Sequence, residues 1–162
     1  LGLLRGLGEA GHEEQNMAAL AENLQPVIEY ASKKGVIIIL EAINRYETSL
    51  LNSADAVMEF IERHLGNPSC VEVLWDLFHS NIEDPSFDVA IRRIGKKMKH
   101  VHLADSNRWF PGFGHIDFAA VMKKLKESGF DGYASYECLN LPSAEYVRRE
   151  SGRFIQTLRE II

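Results

Sequence analysis

The chain has 162 residues, 46% hydrophobic and 25% charged, with 18 basic against 23 acidic side chains and a formal net charge of −5. That balance is ordinary for a globular enzyme and argues against the basic surface that nucleic-acid binding requires. The apolar run Val36 to Leu40 is too short to cross a membrane, and Cys70 and Cys138 form no CxxC motif, so a cytoplasmic protein with reduced thiols is expected.

The opening, Leu1 to Gly6, is apolar, lacks an initiator Met, and reads as the tail of a strand that begins upstream. Met17, Leu20, Leu24, Ile28 and Ala31 then recur at helical steps and predict a helix closed by Gly35, with Pro26 expected to kink or split it. Val36 to Glu41 is the next strand. Ser53 is placed to cap a helix carrying Val57, Phe60 and Ile61, which Gly66 stops. A strand at Val71 to Asp76 leads to a helix near Phe87 to Lys97, with Ile91 and Ile94 inward. Lys99 to His102 is a further strand. Asp117 caps a helix from Phe118 to Ser128 in which Val121 and Leu125 share a face, and Gly129 closes it. Tyr133 to Glu137 is the last strand, and Ser143 begins a final helix with Val147, Phe154, Leu158 and Ile162 inward.

Strand and helix alternating with a period of about 30 residues mean βαβ units and a parallel sheet. A complete (β/α)8 TIM barrel needs about 200 residues or more. Residues 1–162 are therefore read as the C-terminal portion of a single α/β TIM-barrel domain, roughly strands four to eight. A small self-contained α/β domain is the alternative.

Four of the strands end in a residue able to bind a metal: Glu41, Asp76, His102 and Glu137. In a parallel barrel these ends share one rim, where active sites lie. A carboxylate at a buried strand end is costly unless paired or bound to metal. The bland reading, four unrelated ion pairs or solvated strand ends, has to hold at all four positions together. Three carboxylates and one imidazole suit a hard-to-borderline divalent ion such as Mn²⁺, Co²⁺ or Mg²⁺. Glu47 follows Glu41 by six residues and Arg108 follows His102 by six, and His79 is placed on the loop after Asp76.

The segments EAINRYE, WDLFHSNIED, HVHLADSNRWFPGFGHIDF and SYECL resemble the xylose-isomerase-like barrels, and among them the ketose 3-epimerases of the D-tagatose 3-epimerase type. The resemblance runs from Val36 onward. It implies one divalent ion, Mn²⁺ by preference, held by Glu41, Asp76, His102 and Glu137. It implies Glu41 and Glu137 as the acid/base pair, and Glu47, His79 and Arg108 as sugar-binding residues. Two positions depart from the family pattern: Ala104-Asp105-Ser106 replaces a more usual Gly-Glu pair, and Cys138-Leu139 replaces Pro-Phe. These departures bear on the sugar more than on the chemistry. A keto-sugar substrate and a homo-oligomer are expected.

The chemistry is intelligible on its own terms. Removing a proton next to a ketone leaves an enediolate, and a cation beside its oxygens offsets that charge. Epimerisation then needs a base on one face and an acid on the other. Aldose–ketose isomerisation uses the same logic and stays open. A metal-dependent hydrolase of the endonuclease IV type is a further alternative, but it expects an Asp-x-His pair where this chain has the reversed His115-Ile116-Asp117. A purely structural or binding role is the third. Outside the set, His100 is expected to be a packed or hydrogen-bonded interior side chain. His115 and Asp117 are read as loop and helix cap, Arg5 as a surface or structural pairing, and Trp109, Phe110 and Phe113 as a pocket wall, a subunit contact or loop packing.

Overall fold

Strands β1 (Ile38–Glu41), β2 (Val71–Asp76), β3 (Met98–Leu103) and β4 (Tyr133–Tyr136) lie side by side in chain order, every pair parallel. This is the arrangement of a computed structural model that describes residues 2–161. Between and around the strands run α1 (Glu13–Lys34), α2 (Ala54–Glu59), α3 (Leu77–Glu83), α4 (Phe87–Ile94), α5 (Phe118–Glu127) and α6 (Ala144–Ile161). The strand–helix alternation gives the α/β architecture expected from the sequence.

Alternation along each strand sorts the side chains. On β2, Val71, Val73 and Trp75 are buried towards the helices, where Trp75 meets Phe87 of α4 edge-on at 5.5 Å. On β3, Val101 and Leu103 do the same, while His100 and His102 stand on the opposite face with their rings 5.2 Å apart. Val57, Phe60 and Ile61, in α2 and the π-helical turn that continues it, are almost fully buried. Each such side chain contributes about 1.5–3 kcal/mol through removal from water. The helix layer thereby anchors the sheet and leaves the other face and the strand ends for polar residues.

The caps follow the sequence. Ser53 accepts from Ala56 N–H at 3.2 Å, Asp117 from Ala120 N–H at 3.0 Å and Ser143 from Tyr146 N–H at 3.1 Å. Gly35 ends α1 in the left-handed conformation, at φ 65°. Ile162, expected inward on the last helix, lies outside the described residues.

Three local expectations are corrected. Leu3–Arg5 is a single 3-10 turn rather than the end of a strand; Leu1 lies outside the described residues. The cause is Arg5, whose guanidinium turns inward to donate to the carbonyls of Glu41 and Leu50. Pro26 does not split α1, because it sits on the exposed side of the helix, where the carbonyl it leaves unmatched can reach water. His79 lies in the first turn of α3 rather than on a loop, since α3 begins immediately after Asp76.

Candidate metal centre

Asp76 serves two elements. It ends β2, and its Oδ1 caps α3 by accepting from the N–H groups of Phe78 (2.7 Å) and His79 (3.2 Å). Its Oδ2 faces the neighbouring strand ends. There, His102 Nδ1 stands 3.5 Å from Asp76 Oδ2, 3.4 Å from Glu41 Oε1 and 3.3 Å from Glu137 Oε2. Four strand ends thus deliver three carboxylates around one imidazole nitrogen.

Glu41 Oε1, Asp76 Oδ2 and His102 Nδ1 are buried and make no hydrogen bond. A buried polar atom left unpaired costs about 1–3 kcal/mol, and more when charged. A shared cation would satisfy all three at once, and the donor set matches a hard-to-borderline divalent ion. The site therefore fits a metal. The local field agrees: burial alone would lower the His102 pKa, but Asp76, Glu137 and Glu41 overcome it and raise it to about 11. His102 in turn holds the Glu137 carboxyl down to about 2 against the effect of burial, with help from Arg108.

A second imidazole adjoins the same carboxylates. Glu41, Asp76, His79 and Glu137 each offer one ligand atom, and these atoms lie within 4.8 Å of one another. His79 is 1% exposed and is held by the loop after β1, where Asn44 reaches its Nδ1 with both the backbone N–H (3.3 Å) and the side-chain amide (2.7 Å). The same amide donates to Glu47 Oε1 at 3.0 Å.

Arg108 closes the arrangement. Its guanidinium donates to Glu47 Oε1 at 3.0 Å and Glu137 Oε2 at 3.2 Å, and lies over the Phe78 ring at 5.0 Å. To aim it there the backbone adopts φ 62°, unusual for a residue with a side chain. The loop that imposes this turn is organised by Asp105, which is fully buried. Its Oδ1 accepts from Ser106 and Ile116 N–H and its Oδ2 from Gly112 N–H, while its carbonyl accepts from Arg108 N–H at 2.8 Å. A side chain at Gly114 would collide with this carboxylate, its Cβ falling 2.2 Å from Oδ1.

The structure thus brings Glu41, Asp76, His102, Glu137, Glu47, His79 and Arg108 into one neighbourhood. Sequence reading missed Asn44 and Asp105, whose partners are apparent only in space. Asp105 did announce itself as a departure from the family pattern. The secondary candidates fall where the plainer readings put them. His100 Nε2 pairs with Ser135 Oγ at 2.7 Å, and His115 Nδ1 with Ser106 Oγ at 3.0 Å. Arg5 is a buried structural pairing. Phe110 packs with Tyr136, Tyr146 and Phe154, and Phe113 with Trp109 and Tyr146.

A family profile described as xylose isomerase-like TIM barrel matches residues 3–158. The chain belongs to this family. Among its curated relatives, an L-ribulose 3-epimerase of Mesorhizobium japonicum is 37% identical over 139 residues, covering 82% of this chain and 46% of the relative. A 3-dehydro-D-guloside 4-epimerase of Escherichia coli is 32% identical over 119 residues, covering 73% and 44% respectively. Among solved structures, a D-psicose 3-epimerase of Clostridium cellulolyticum H10 superposes with a TM-score of 0.84 at 25% identity, over 94% of this chain and 58% of that one. The chain spans a little under half the length of both curated relatives. The four strands observed are accordingly part of a xylose isomerase-like TIM barrel. Among the described residues no helix is long and apolar enough to cross a membrane.

Proposed function

We propose that this chain is the C-terminal portion of a single barrel domain, and that the protein containing it is a divalent-metal-dependent epimerase acting at C3 of a ketose or related keto sugar acid. The observation that carries this reading is the convergence of the unpaired buried atoms of Glu41, Asp76 and His102 with Glu137, beside the Glu47–Arg108 pair. The epimerase names of its relatives point the same way. Glu41, Asp76, His102 and Glu137 would hold the ion, with Mn²⁺ our choice on donor hardness. Bound there, it supplies positive charge next to the oxygens of the reacting carbons.

The remaining work falls to the chain. Glu137, whose carboxylate is set beside Arg108, takes the proton from carbon. Glu41, on a strand three places away in the sheet, returns a proton to the opposite face of the planar enediolate. Arg108 and His79 hold oxygens of the sugar in register, and Glu47 accepts from a hydroxyl while orienting Arg108. The same pair of carboxylates serves both directions, since each is base to one epimer and acid to the other.

The test is a panel of ketohexoses, ketopentoses and keto sugar acids offered to the natural protein in D₂O, before and after metal removal. Deuterium should enter C3 with inversion, stop on chelation and return on adding Mn²⁺. A metal-reconstituted protein that exchanges no carbon-bound hydrogen in any of them overturns the proposal.

A further inference from the structure

We infer that Asn44 is a positioning residue that fixes His79 as the tautomer protonated on Nε2, so that His79 donates a hydrogen bond to the bound keto sugar instead of joining the metal's ligands. The inference deepens the epimerase reading and rests on it for the identity of the acceptor.

Two imidazoles adjoin the three carboxylates, and the distance between ligand atoms alone does not say which of them serves the ion. The hydrogen-bond pattern does. His102 Nδ1 is buried among three carboxylate oxygens with no hydrogen bond, the place a shared cation would take. His79 Nδ1 is committed. A backbone N–H can only donate, and that of Asn44 points at this nitrogen from 3.3 Å.

The side chain of Asn44 repeats the message. Its Oδ1 accepts from Tyr46 N–H at 3.0 Å, which fixes the orientation of the amide and turns its nitrogen towards His79 Nδ1 (2.7 Å) and Glu47 Oε1 (3.0 Å). One N–H goes to each, and the amide is fully used. A neutral imidazole has one donor and one acceptor nitrogen. With Nδ1 accepting, Nε2 must carry the hydrogen, and a protonated nitrogen has no lone pair to give a metal. What it can do is donate to a carbonyl or hydroxyl oxygen lying against the carboxylate cluster. Asn44 is 2% exposed and His79 1%, so neither is free to re-orient without disturbing the loop after β1. The same amide holds Glu47, and Glu47 holds Arg108, so one side chain sets the donor role of His79 and helps to position the other two groups.

The experiment is long-range ¹H–¹⁵N correlation of the natural protein loaded with diamagnetic Mg²⁺, with the His79 ring assigned by its loss in His79→Gln. The expected spectrum shows His79 protonated on Nε2 and unprotonated on Nδ1. In Asn44→Asp the amide donor becomes an acceptor facing the ring. The proton should move to Nδ1, kcat should fall about tenfold or more, and metal content should stay at one ion. Asn44→Ala, which keeps the backbone donor, should retain the tautomer and lose less. Wild-type His79 protonated on Nδ1, or perturbed by the ion through Nε2, overturns the inference, as does Asn44→Asp with wild-type tautomer and kcat. The tautomer is read without turnover. A wild-type protein with Nε2–H but no epimerase activity therefore supports the assignment of the ring while overturning the epimerase reading.

Discussion

Arg108 donates to Glu137 at 3.2 Å, which joins the Glu47–Arg108 pair directly to the carboxylates around His102. The contact reaches a loop residue whose backbone is held at φ 62° by the Asp105 turn, so the position of the charge is built in, not sampled. Removing the guanidinium should affect the sugar and the acid/base carboxylate together while leaving the ion alone. Arg108→Ala is expected to lower kcat/KM about 10- to 100-fold, the usual range for losing a charge-assisted hydrogen bond. Metal content by elemental analysis should be unchanged, and joint loss of metal would show that Arg108 supports the centre instead.

Asp76→Ala and His102→Ala should each reduce bound divalent ion after mild dialysis to well below one per chain. The two differ in a second respect. Asp76→Ala also strips the cap from α3, which should add about 1 kcal/mol of destabilisation that His102→Ala lacks. Equal metal in wild type and both variants would remove these residues from the ligand set.

Glu137→Gln replaces a carboxylate by an amide that can still face a cation through its oxygen. We expect it to keep part of the metal and to lose deuterium incorporation at the reacting carbon by at least about 100-fold. Undiminished exchange would take Glu137 out of the acid/base pair.

Asp105 offers a test by pH. Burial pushes its carboxyl up, but the backbone N–H groups it accepts from win and hold the pKa below its ordinary value of 3.8. A depressed folded-state pKa stabilises above the unfolded value, and the contribution is lost as pH falls through the folded one. Asp105→Asn should therefore be less stable than wild type by about 2–3 kcal/mol near neutrality. The gap should narrow below about pH 4. Denaturant midpoints from pH 7 to pH 3 would show it, and a constant gap would contradict the assigned cause.

The sheet makes a prediction about the 162-residue chain by itself. In the order β1-β2-β3-β4, β1 and β4 each have one neighbour, and Ile37 and Tyr133 beside these edges are 52% and 78% exposed. Open edges of this kind invite pairing. Sedimentation should find dimers or larger species without epimerase activity. An active monomer of 18.3 kDa would overturn both expectations.

Most of the frame was legible because it depends on local pattern. Apolar runs bounded by Gly, Ser and Asp marked the strands and caps, and ligand chemistry at the strand ends marked the rim. What escaped depends on distant partners. Arg5 converts an apolar opening into a turn because carbonyls at Glu41 and Leu50 await it, which no window around residue 5 reveals. Pro26 passed unnoticed by α1 because the helix happened to turn it outward. His79 falls inside α3 because Asp76 caps that helix, and an Asp at a strand end is a signal present in the sequence. Asn44 has no chemistry that stands out in a polar loop, and its role exists only once β1 and β2 lie side by side.

The two oxygens of Asp76 tie ion occupancy to the local folding of α3. One oxygen holds the first turn of the helix and the other faces His102, where the proposed ion would sit, so whatever fixes the carboxylate for one purpose fixes it for the other. An ion at a hundredfold excess over its Kd adds about 2.7 kcal/mol to the bound form. Part of that should appear not at the rim but as slower amide exchange at Phe78 and His79. Chelators would then act on the backbone of α3 as well as on the chemistry.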